Sequence, residues 1–190
     1  MLKLLLAMII AIPAPVCGDW SDGFRSTKDV RKDAKARVLK TCRALGGSRQ
    51  ACAVMGAMVS RESSGDPCAV HRLGEGEYGL GVLGLSCRWH RNKWDGDCEQ
   101  FRKPEVSAVV VMRIFRRAVS RHGATSWADV NEVFGTGKNG ERPAARNVFC
   151  HRLKRRGLDC QDDPRGQLGT LLGIGPVVGQ ERVLEEMSDG

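Results

Sequence analysis

Residues 48–67 read SRQACAVMGAMVSRESSGDP, an amphipathic helix pattern that ends at a carboxylate. Ser48 is a good N-cap for such a helix, and the Gly65-Asp66-Pro67 segment ends it. Glu62 continues the line of positions 51, 55 and 58, so we expect its side chain at the C-terminal end of the apolar face, directed toward the interior. The apolar residues recur at i, i+3, i+4, i+7 and i+8: Ala51, Val54, Met55, Met58 and Val59.

Glu62 is the candidate for acid–base chemistry. Burial and the negative end of the helix dipole both disfavour an ionised carboxylate at this position. A carboxyl group that keeps its proton near neutral pH can act as a general acid. The alternative is a side chain at a frayed helix end that turns to water or pairs with Arg61.

Four further helices are predicted around this one. A basic amphipathic helix is expected over 29–45, with Val30, Ala34 and Val38 on its apolar face. Pro104 opens a helix that is apolar almost all round over 106–115, which predicts the buried centre of the domain. Helices are also expected over 126–134 and 143–156. Because 65–103 is rich in glycine and shows no alternating pattern, we expect loops there, no strands, and a mainly helical single domain.

Composition restricts the class of protein. The 190 residues are 42% hydrophobic and 27% charged, which excludes wholesale disorder. The formal net charge of +8 favours anionic partners such as nucleic acid, an acidic membrane surface or an acidic glycan. A nucleic-acid-binding role explains the charge, but it explains neither an export signal nor the position of Glu62.

The first 18 residues have the layout of a secretory signal peptide. Lys3 supplies the positive region, residues 4–12 form a short apolar core, and Val16-Cys17-Gly18 supplies small residues for a cut after Gly18. We therefore expect an exported protein, in the periplasm or outside the cell. The alternatives are acylation of Cys17 or a hydrophobic N-terminal helix of a cytosolic protein.

Export makes the eight cysteines candidates for disulfides. Loss of Cys17 would leave seven, so one would be free or paired between molecules. A zinc site formed by Cys87, His90 and Cys98 is a further alternative. Three pairs of cysteines lie close together in the sequence: Cys42–Cys52, Cys87–Cys98 and Cys150–Cys160. These pairs leave Cys68 without a partner. A Cys68–Cys87 bond is a competing arrangement.

Three segments in this order resemble the lytic transglycosylase family, relatives of goose-type lysozyme that cleave peptidoglycan. Glu62-Ser63 with Pro67 matches the catalytic helix end, and Gly79-Leu80 matches the start of the Gly-Leu-Met-Gln turn. Gly81 and Val82 stand where the family has Met and Gln. Residues 133–137 are similar to the Ala-Tyr-Asn-Ala-Gly segment, with Phe134 in place of the tyrosine.

The resemblance implies a lysozyme-like fold, with Glu62 as the catalytic residue and no metal or organic cofactor. Glu62 would protonate the glycosidic oxygen between N-acetylmuramic acid and N-acetylglucosamine, and the muramic 6-hydroxyl would close a 1,6-anhydro ring. A hydrolytic route would need a second carboxylate, for which Glu75 and Glu77 are the candidates. The implied substrate-binding residues are Ser63, Glu75, Glu77, Tyr78, Gly79, Leu80 and Phe134.

The aromatic residues of the loop between Cys87 and Cys98 have two interpretations. Trp89 and Trp94 are either sugar platforms or anchors of the loop, and we prefer the second.

The predicted organisation has four parts. These are a signal peptide (1–18), an N-terminal arm and basic helix (19–47), a lysozyme-like domain (48–160) and a C-terminal tail (161–190). The expected partner is the peptidoglycan glycan strand, acted on by a monomer, in the setting of a secretion, pilus, conjugation or phage-entry apparatus. The alternatives are a hydrolytic goose-type muramidase and a secreted basic cell-wall-binding protein without turnover.

Overall fold

The computed structural model describes Cys17 and residues 26–74, 76–90, 97–136 and 143–168, with side chains from 147 onward in the last range. The mainly helical fold class is confirmed, with a small antiparallel sheet ordered β1-β2-β3. No helix among the described residues is long and apolar enough to cross a bilayer. The elements are α1 Lys28–Ala44, α2 Arg49–Glu62, β1 Val70–Gly74, β2 Glu77–Leu80, β3 Leu85–Ser86, α3 Cys87–His90, α4 Pro104–His122, α5 Trp127–Thr136 and α6 Pro143–Lys154, with 3₁₀ turns at Cys98–Arg102 and Arg165–Gln167.

Helix α2 forms as its sequence predicts. The Ser48 hydroxyl accepts a hydrogen bond from the Ala51 N–H at 3.0 Å, which caps the first turn. The helix ends at Glu62 with Ser63 as its C-cap. All five residues of the predicted apolar face are buried, so the helix is held in the core by that face: Ala51, Val54, Met55, Met58 and Val59.

Helix α4 is the buried centre of the domain, as predicted. Pro104 lies in its first turn, and Gly123 ends it in the left-handed conformation with φ 62°. Residues 106–112 are all buried, and the helix packs against α1 and α5. The Arg37 guanidinium of α1 donates two hydrogen bonds to the buried Glu105 carboxylate, at 2.6 and 3.0 Å, which fixes α1 on α4.

One face assignment of α1 is wrong. Ala34 and Val38 are buried as expected, but the side chain of Val30 is 44% exposed. Thr27 caps the helix by accepting a hydrogen bond from the Val30 N–H. Val30 therefore lies in the first turn at a position that the core does not cover.

The prediction that 65–103 contains only loops is wrong. Strand β1 pairs with β2 through Val70–Leu80, His71–Gly79 and Arg72–Tyr78, and β2 pairs with β3 through Gly79–Ser86 and Leu80–Leu85. The strands have five, four and two residues, too few for an alternating pattern to be visible. Glycines also interrupt the pattern where the backbone must turn.

All eight cysteines are paired. The three close pairs are confirmed: Cys42–Cys52, Cys87–Cys98 and Cys150–Cys160. The fourth pair is Cys17–Cys68, with a Cα–Cα distance of 5.5 Å, so the competing Cys68–Cys87 bond is wrong. The zinc alternative is wrong as well, because the sulfur atoms of Cys87 and Cys98 are bonded to each other.

A second contact brings the N-terminal segment to the same place as Cys68. The buried Ser26 hydroxyl donates to Asp66 Oδ1 at 2.6 Å, and that oxygen also accepts the Cys68 N–H at 2.9 Å. The predicted cut after Gly18 does not agree with this arrangement, because it would remove Cys17 and leave Cys68 without a partner. The rest of the predicted signal peptide and residues 19–25 of the arm lie outside the described residues.

We predict that the mature protein retains Cys17. A disulfide that closes a loop of about 50 residues contributes about 4 kcal/mol in the chain-entropy model, so the pair is a large part of the stability. Non-reducing digests should contain a peptide linking Cys17 to Cys68, which mass spectrometry detects. A mature N-terminus at Asp19, or a free Cys68 thiol, would contradict the prediction.

Residues 161–168 pack on the domain and are not part of a tail. The Ser48 N–H donates to the Gln167 carbonyl at 2.8 Å, and Arg116 donates to the Leu168 carbonyl at 2.8 Å. Leu168 is buried in the same core. The domain therefore continues at least to 168, and the remaining residues of the predicted tail lie outside the described part.

Candidate active site

The end of α2 is tied to the turn between β2 and β3 by the residue after Glu62. The Ser63 hydroxyl donates to the Val82 carbonyl at 2.9 Å and accepts the Gly65 N–H at 3.0 Å. Val82 itself is fully buried. Ser63, predicted to bind substrate, thus serves to hold the glycine turn against the helix end.

The turn at 81–84 passes directly beside the Glu62 carboxylate. Gly84 has φ 60°, and a Cβ built on it would lie 3.8 Å from Glu62 Oε2 and 3.4 Å from His71 Cδ2. Gly79 lies so close to the turn that a Cβ built on it would be 2.5 Å from the Gly84 carbonyl oxygen. Glycine at these positions keeps the space next to the carboxylate open.

Glu62 faces a cleft of about 510 Å³ between the sheet and the helices. The sheet contributes Leu73 and Ser86, and Ser86 lies on the same side of the sheet as Gly79 and His71, with which it is in register. The lining of the cleft contains both apolar and charged side chains. Its described lining also includes Arg61, Gly84, Trp89, His90, Ile114, Arg117, His122, Val133, Phe134, Gly135 and Thr136.

The surroundings of Glu62 differ from the predicted apolar interior. Its side chain is 27% exposed, and Arg61 pairs with it. Arg61 Nε donates to Glu62 Oε1 at 2.7 Å, and Nη2 donates to the same oxygen. Of the two interpretations, the structure thus contains the ion pair with Arg61, which engages Oε1, while Oε2 lies beside Gly84.

Arg61 is itself held by two helices. Its Nη1 donates to the buried Asn131 Oδ1 of α5 at 2.5 Å, and the guanidinium lies 5.7 Å from the ring centroid of Phe149 on α6. These contacts hold the guanidinium between α5 and α6, where it pairs with Glu62.

Phe134 lies in the same cleft as Glu62. Its ring stacks on His90, with 6.3 Å between the ring centroids. Two segments that are 72 positions apart in the sequence, the Glu-Ser helix end and the Phe134 segment, therefore line one cavity. Gly137, the last residue of the third segment, lies outside the described residues.

The other predicted site residues lie elsewhere. Glu77, Tyr78 and Leu80 line a separate cavity of about 400 Å³. The Ser86 hydroxyl donates a hydrogen bond to Glu77, so this carboxylate is joined to a residue that lines the Glu62 cleft. Gly79 is buried in the sheet, and Glu75 lies outside the described residues.

The preferred interpretation of Trp89 is wrong. The indole is 61% exposed and lines the Glu62 cleft, so it is not a buried anchor of its loop. The Arg88 guanidinium lies 5.1 Å from its ring centroid. An exposed indole face beside a carboxylate can stack on a sugar ring. Trp94 lies outside the described residues.

The sequence did not single out two basic residues of α4 that line the cleft. Arg117 and His122 both line it, and the C-terminal part of α4 is otherwise recognisable only as basic. Burial and the neighbouring guanidinium groups of Arg117 and Arg121 lower the pKa of His122. This shift favours the neutral form of the His122 imidazole.

His71 is a further residue that the sequence did not single out. Its Nε2 is buried and has no hydrogen-bond partner among the described residues. A Cβ built on Gly84 would lie 3.4 Å from His71 Cδ2 and 3.8 Å from Glu62 Oε2, so His71 and Glu62 both border the same glycine. No pattern in a five-residue strand would have identified it.

No group of three or more potential metal-binding side chains occurs within the described ranges. Comparisons of the chain with family models, with curated proteins and with solved structures found no match.

Proposed function

We propose that this protein is an exported lytic transglycosylase with a lysozyme-like fold, which cleaves peptidoglycan glycan strands by means of Glu62. The observation that carries the proposal is the position of Glu62. It ends a buried helix, borders an open cleft and lies beside a glycine turn that Ser63 holds in place. The Phe134 segment, the third part of the resemblance, lines the same cleft.

The proposed reaction uses one carboxyl group twice. The protonated Glu62 donates its proton to the glycosidic oxygen as the bond to the anomeric carbon of N-acetylmuramic acid breaks. The carboxylate then takes the proton of the muramic 6-hydroxyl, whose oxygen bonds to the anomeric carbon. The proton is returned to Glu62, no water is consumed, and no cofactor is needed. Trp89 offers a face for a sugar ring near the reacting bond.

The hydrolytic alternative depends on a second carboxylate. An inverting hydrolase places its two carboxyl groups roughly 6.5–9.5 Å apart, on either side of the bond. Among the described residues that line the cleft, Glu62 is the one carboxylate, since Glu77 lines the other cavity. Within the described residues this supports the route through the 6-hydroxyl; Glu75, the other candidate for the second carboxylate, lies outside them.

A second candidate function is binding of the cell wall without turnover. The Arg61–Glu62 ion pair favours it, because a carboxylate that stays paired with a guanidinium does not act as an acid. The net charge of +8 suits either function, since peptidoglycan carries many carboxylates.

The four disulfides support export to an oxidising compartment, the periplasm or the cell exterior. We place the enzyme, as a monomer, in a process that opens the wall locally, such as assembly of a secretion, pilus or conjugation apparatus or entry of a phage.

Digestion of purified peptidoglycan sacculi tests the proposal. The wild-type protein is expected to release soluble fragments, and Glu77→Gln is expected to keep at least half of that rate, because its carboxylate lines the other cavity. Sacculi that bind the protein without release of fragments would favour the binding function. A Glu77→Gln protein without activity would favour the hydrolytic route.

A further inference from the structure

Arg117 is a charged group in the cleft that the reaction of Glu62 leaves without a role. It is half-buried on α4 and lines the same cavity as Glu62. The structure contains no hydrogen bond or ion pair from its guanidinium to a described residue. The other arginines of the cleft region differ in this respect, since Arg61 pairs with Glu62 and Arg116 binds the Leu168 carbonyl.

We propose that Arg117 forms a subsite for a carboxylate of the peptide that substitutes the muramic acid residue, so that the enzyme prefers glycan bearing anionic stem peptides. This inference rests on the proposed function, because it concerns the substrate of the Glu62 cleft. A half-buried guanidinium without an anionic partner can form a strong, charge-assisted hydrogen bond with a ligand that supplies a carboxylate.

The charge balance of the cleft supports an anionic ligand. Its described lining contains two guanidinium groups, Arg61 and Arg117, and one carboxylate, which already pairs with Arg61. Burial lowers the pKa of His122, and the guanidinium groups of Arg117 and Arg121 lower it further. Nothing else that is described in the cleft neutralises Arg117.

The chemistry of the reaction selects the source of the anion. Wall polymers attached through phosphodiesters could also supply negative charge, and the muramic 6-hydroxyl is a site for such a bond. That hydroxyl must be free to close the anhydro ring, so a muramic residue that reacts cannot carry a phosphodiester there. The stem peptide is attached through the lactyl group at C3, which leaves the 6-hydroxyl free and places carboxylates beside the same ring.

The test compares two soluble probes with the wild-type protein, in which Arg61 keeps its partner Glu62. Neither probe can be turned over, because the disaccharide lacks the bond from the muramic anomeric carbon to N-acetylglucosamine. One probe is the disaccharide N-acetylglucosaminyl-N-acetylmuramic acid carrying L-Ala-D-Glu, and the other carries the same dipeptide with its carboxyl groups amidated. Calorimetry should give about 10-fold tighter binding of the carboxylate form, as one charge-assisted hydrogen-bonded contact supplies. The substitution Arg117→Gln should remove this preference, and Arg117→Lys should keep part of it.

Arg121→Gln is the matched control. Arg121 is exposed, four residues further along α4, and is not part of the cleft lining, so its variant should keep the full preference. Equal binding of the two probes, no binding of either, or a preference that survives Arg117→Gln would overturn the inference. The proposed function fails by a different result, the absence of fragment release from sacculi by the wild-type protein.

Discussion

Replacement of Glu62 by glutamine is expected to reduce the release of fragments from sacculi by about 10²–10⁴-fold, the usual contribution of a positioned general acid. Glutamine keeps the volume and a hydrogen-bonding oxygen but has no proton to transfer. The protein should still fold and bind sacculi, because the side chain is partly exposed and lies at the helix end. Initial rates on labelled sacculi measure the effect.

Glu99→Gln is the control for the change in charge. Glu99 lines the other cavity, and its side chain is 60% exposed and pairs with Arg102. We expect this variant to retain activity within a factor of about three, since Glu99 does not line the Glu62 cleft and its carboxylate is largely exposed to solvent. A Glu62→Gln protein that digests sacculi at the wild-type rate would remove Glu62 from the mechanism.

Gly81→Ala is expected to be the most damaging small substitution in the fold. Gly81 has φ 73°, and a Cβ there would lie 2.1 Å from the Phe101 carbonyl oxygen. Left-handed strain and the forced movement of a buried backbone together cost about 3 kcal/mol or more. For a domain of this size that loss lowers the melting temperature by about 10 °C.

Gly157→Ala separates the two contributions to this loss. Gly157 has φ 70°, and nothing lies within 4 Å of its Cβ position, so the variant retains only the strain. We expect a loss of about 1–2 kcal/mol. Thermal unfolding followed by circular dichroism compares the two variants under non-reducing conditions. Equal melting temperatures would show that the contact with Phe101 does not limit this position.

The geometry at Gly81 also explains why glycine stands at this position of the turn. The lytic transglycosylase turn that the sequence resembles has Met at this position. A side chain of any size at this position would meet the Phe101 backbone, so only glycine fits the turn without a shift of that backbone. The next position, Val82, is buried and contacts Ser63 through its carbonyl, so neither residue replaces the family's glutamine in the cleft.

The helical part of the fold was predictable because its apolar patterns extend over several helical turns. The apolar face of α2 repeats over three turns, and α4 has an apolar run after Pro104, so the pattern predicts both helices and where each begins. The sheet was missed because Leu85–Ser86 is too short to show alternation. Local pairs such as Cys42–Cys52 follow from spacing, whereas Cys17–Cys68 joins residues 51 positions apart and depends on the tertiary fold.

The site was predictable where one helix determines it. Periodicity placed Glu62 at the end of the buried face, but it does not specify which way the last side chain rotates, so the ion pair with Arg61 remained one of two possibilities. Arg117 of α4 and Trp89 of α3 line one cleft because the tertiary fold brings these two segments to it. Such an encounter between distant segments leaves no periodic signal in either segment.

The most direct test of the central claim is the mass of the fragments that the wild-type protein releases from purified sacculi. Single-carboxyl chemistry at Glu62 predicts muropeptides that end in 1,6-anhydro-N-acetylmuramic acid, lighter by one water than the hydrolysis products and resistant to borohydride reduction. Reducible ends on the released fragments would contradict the transglycosylase mechanism, and intact sacculi after incubation with active, disulfide-bonded protein would contradict the assignment as a peptidoglycan-cleaving enzyme.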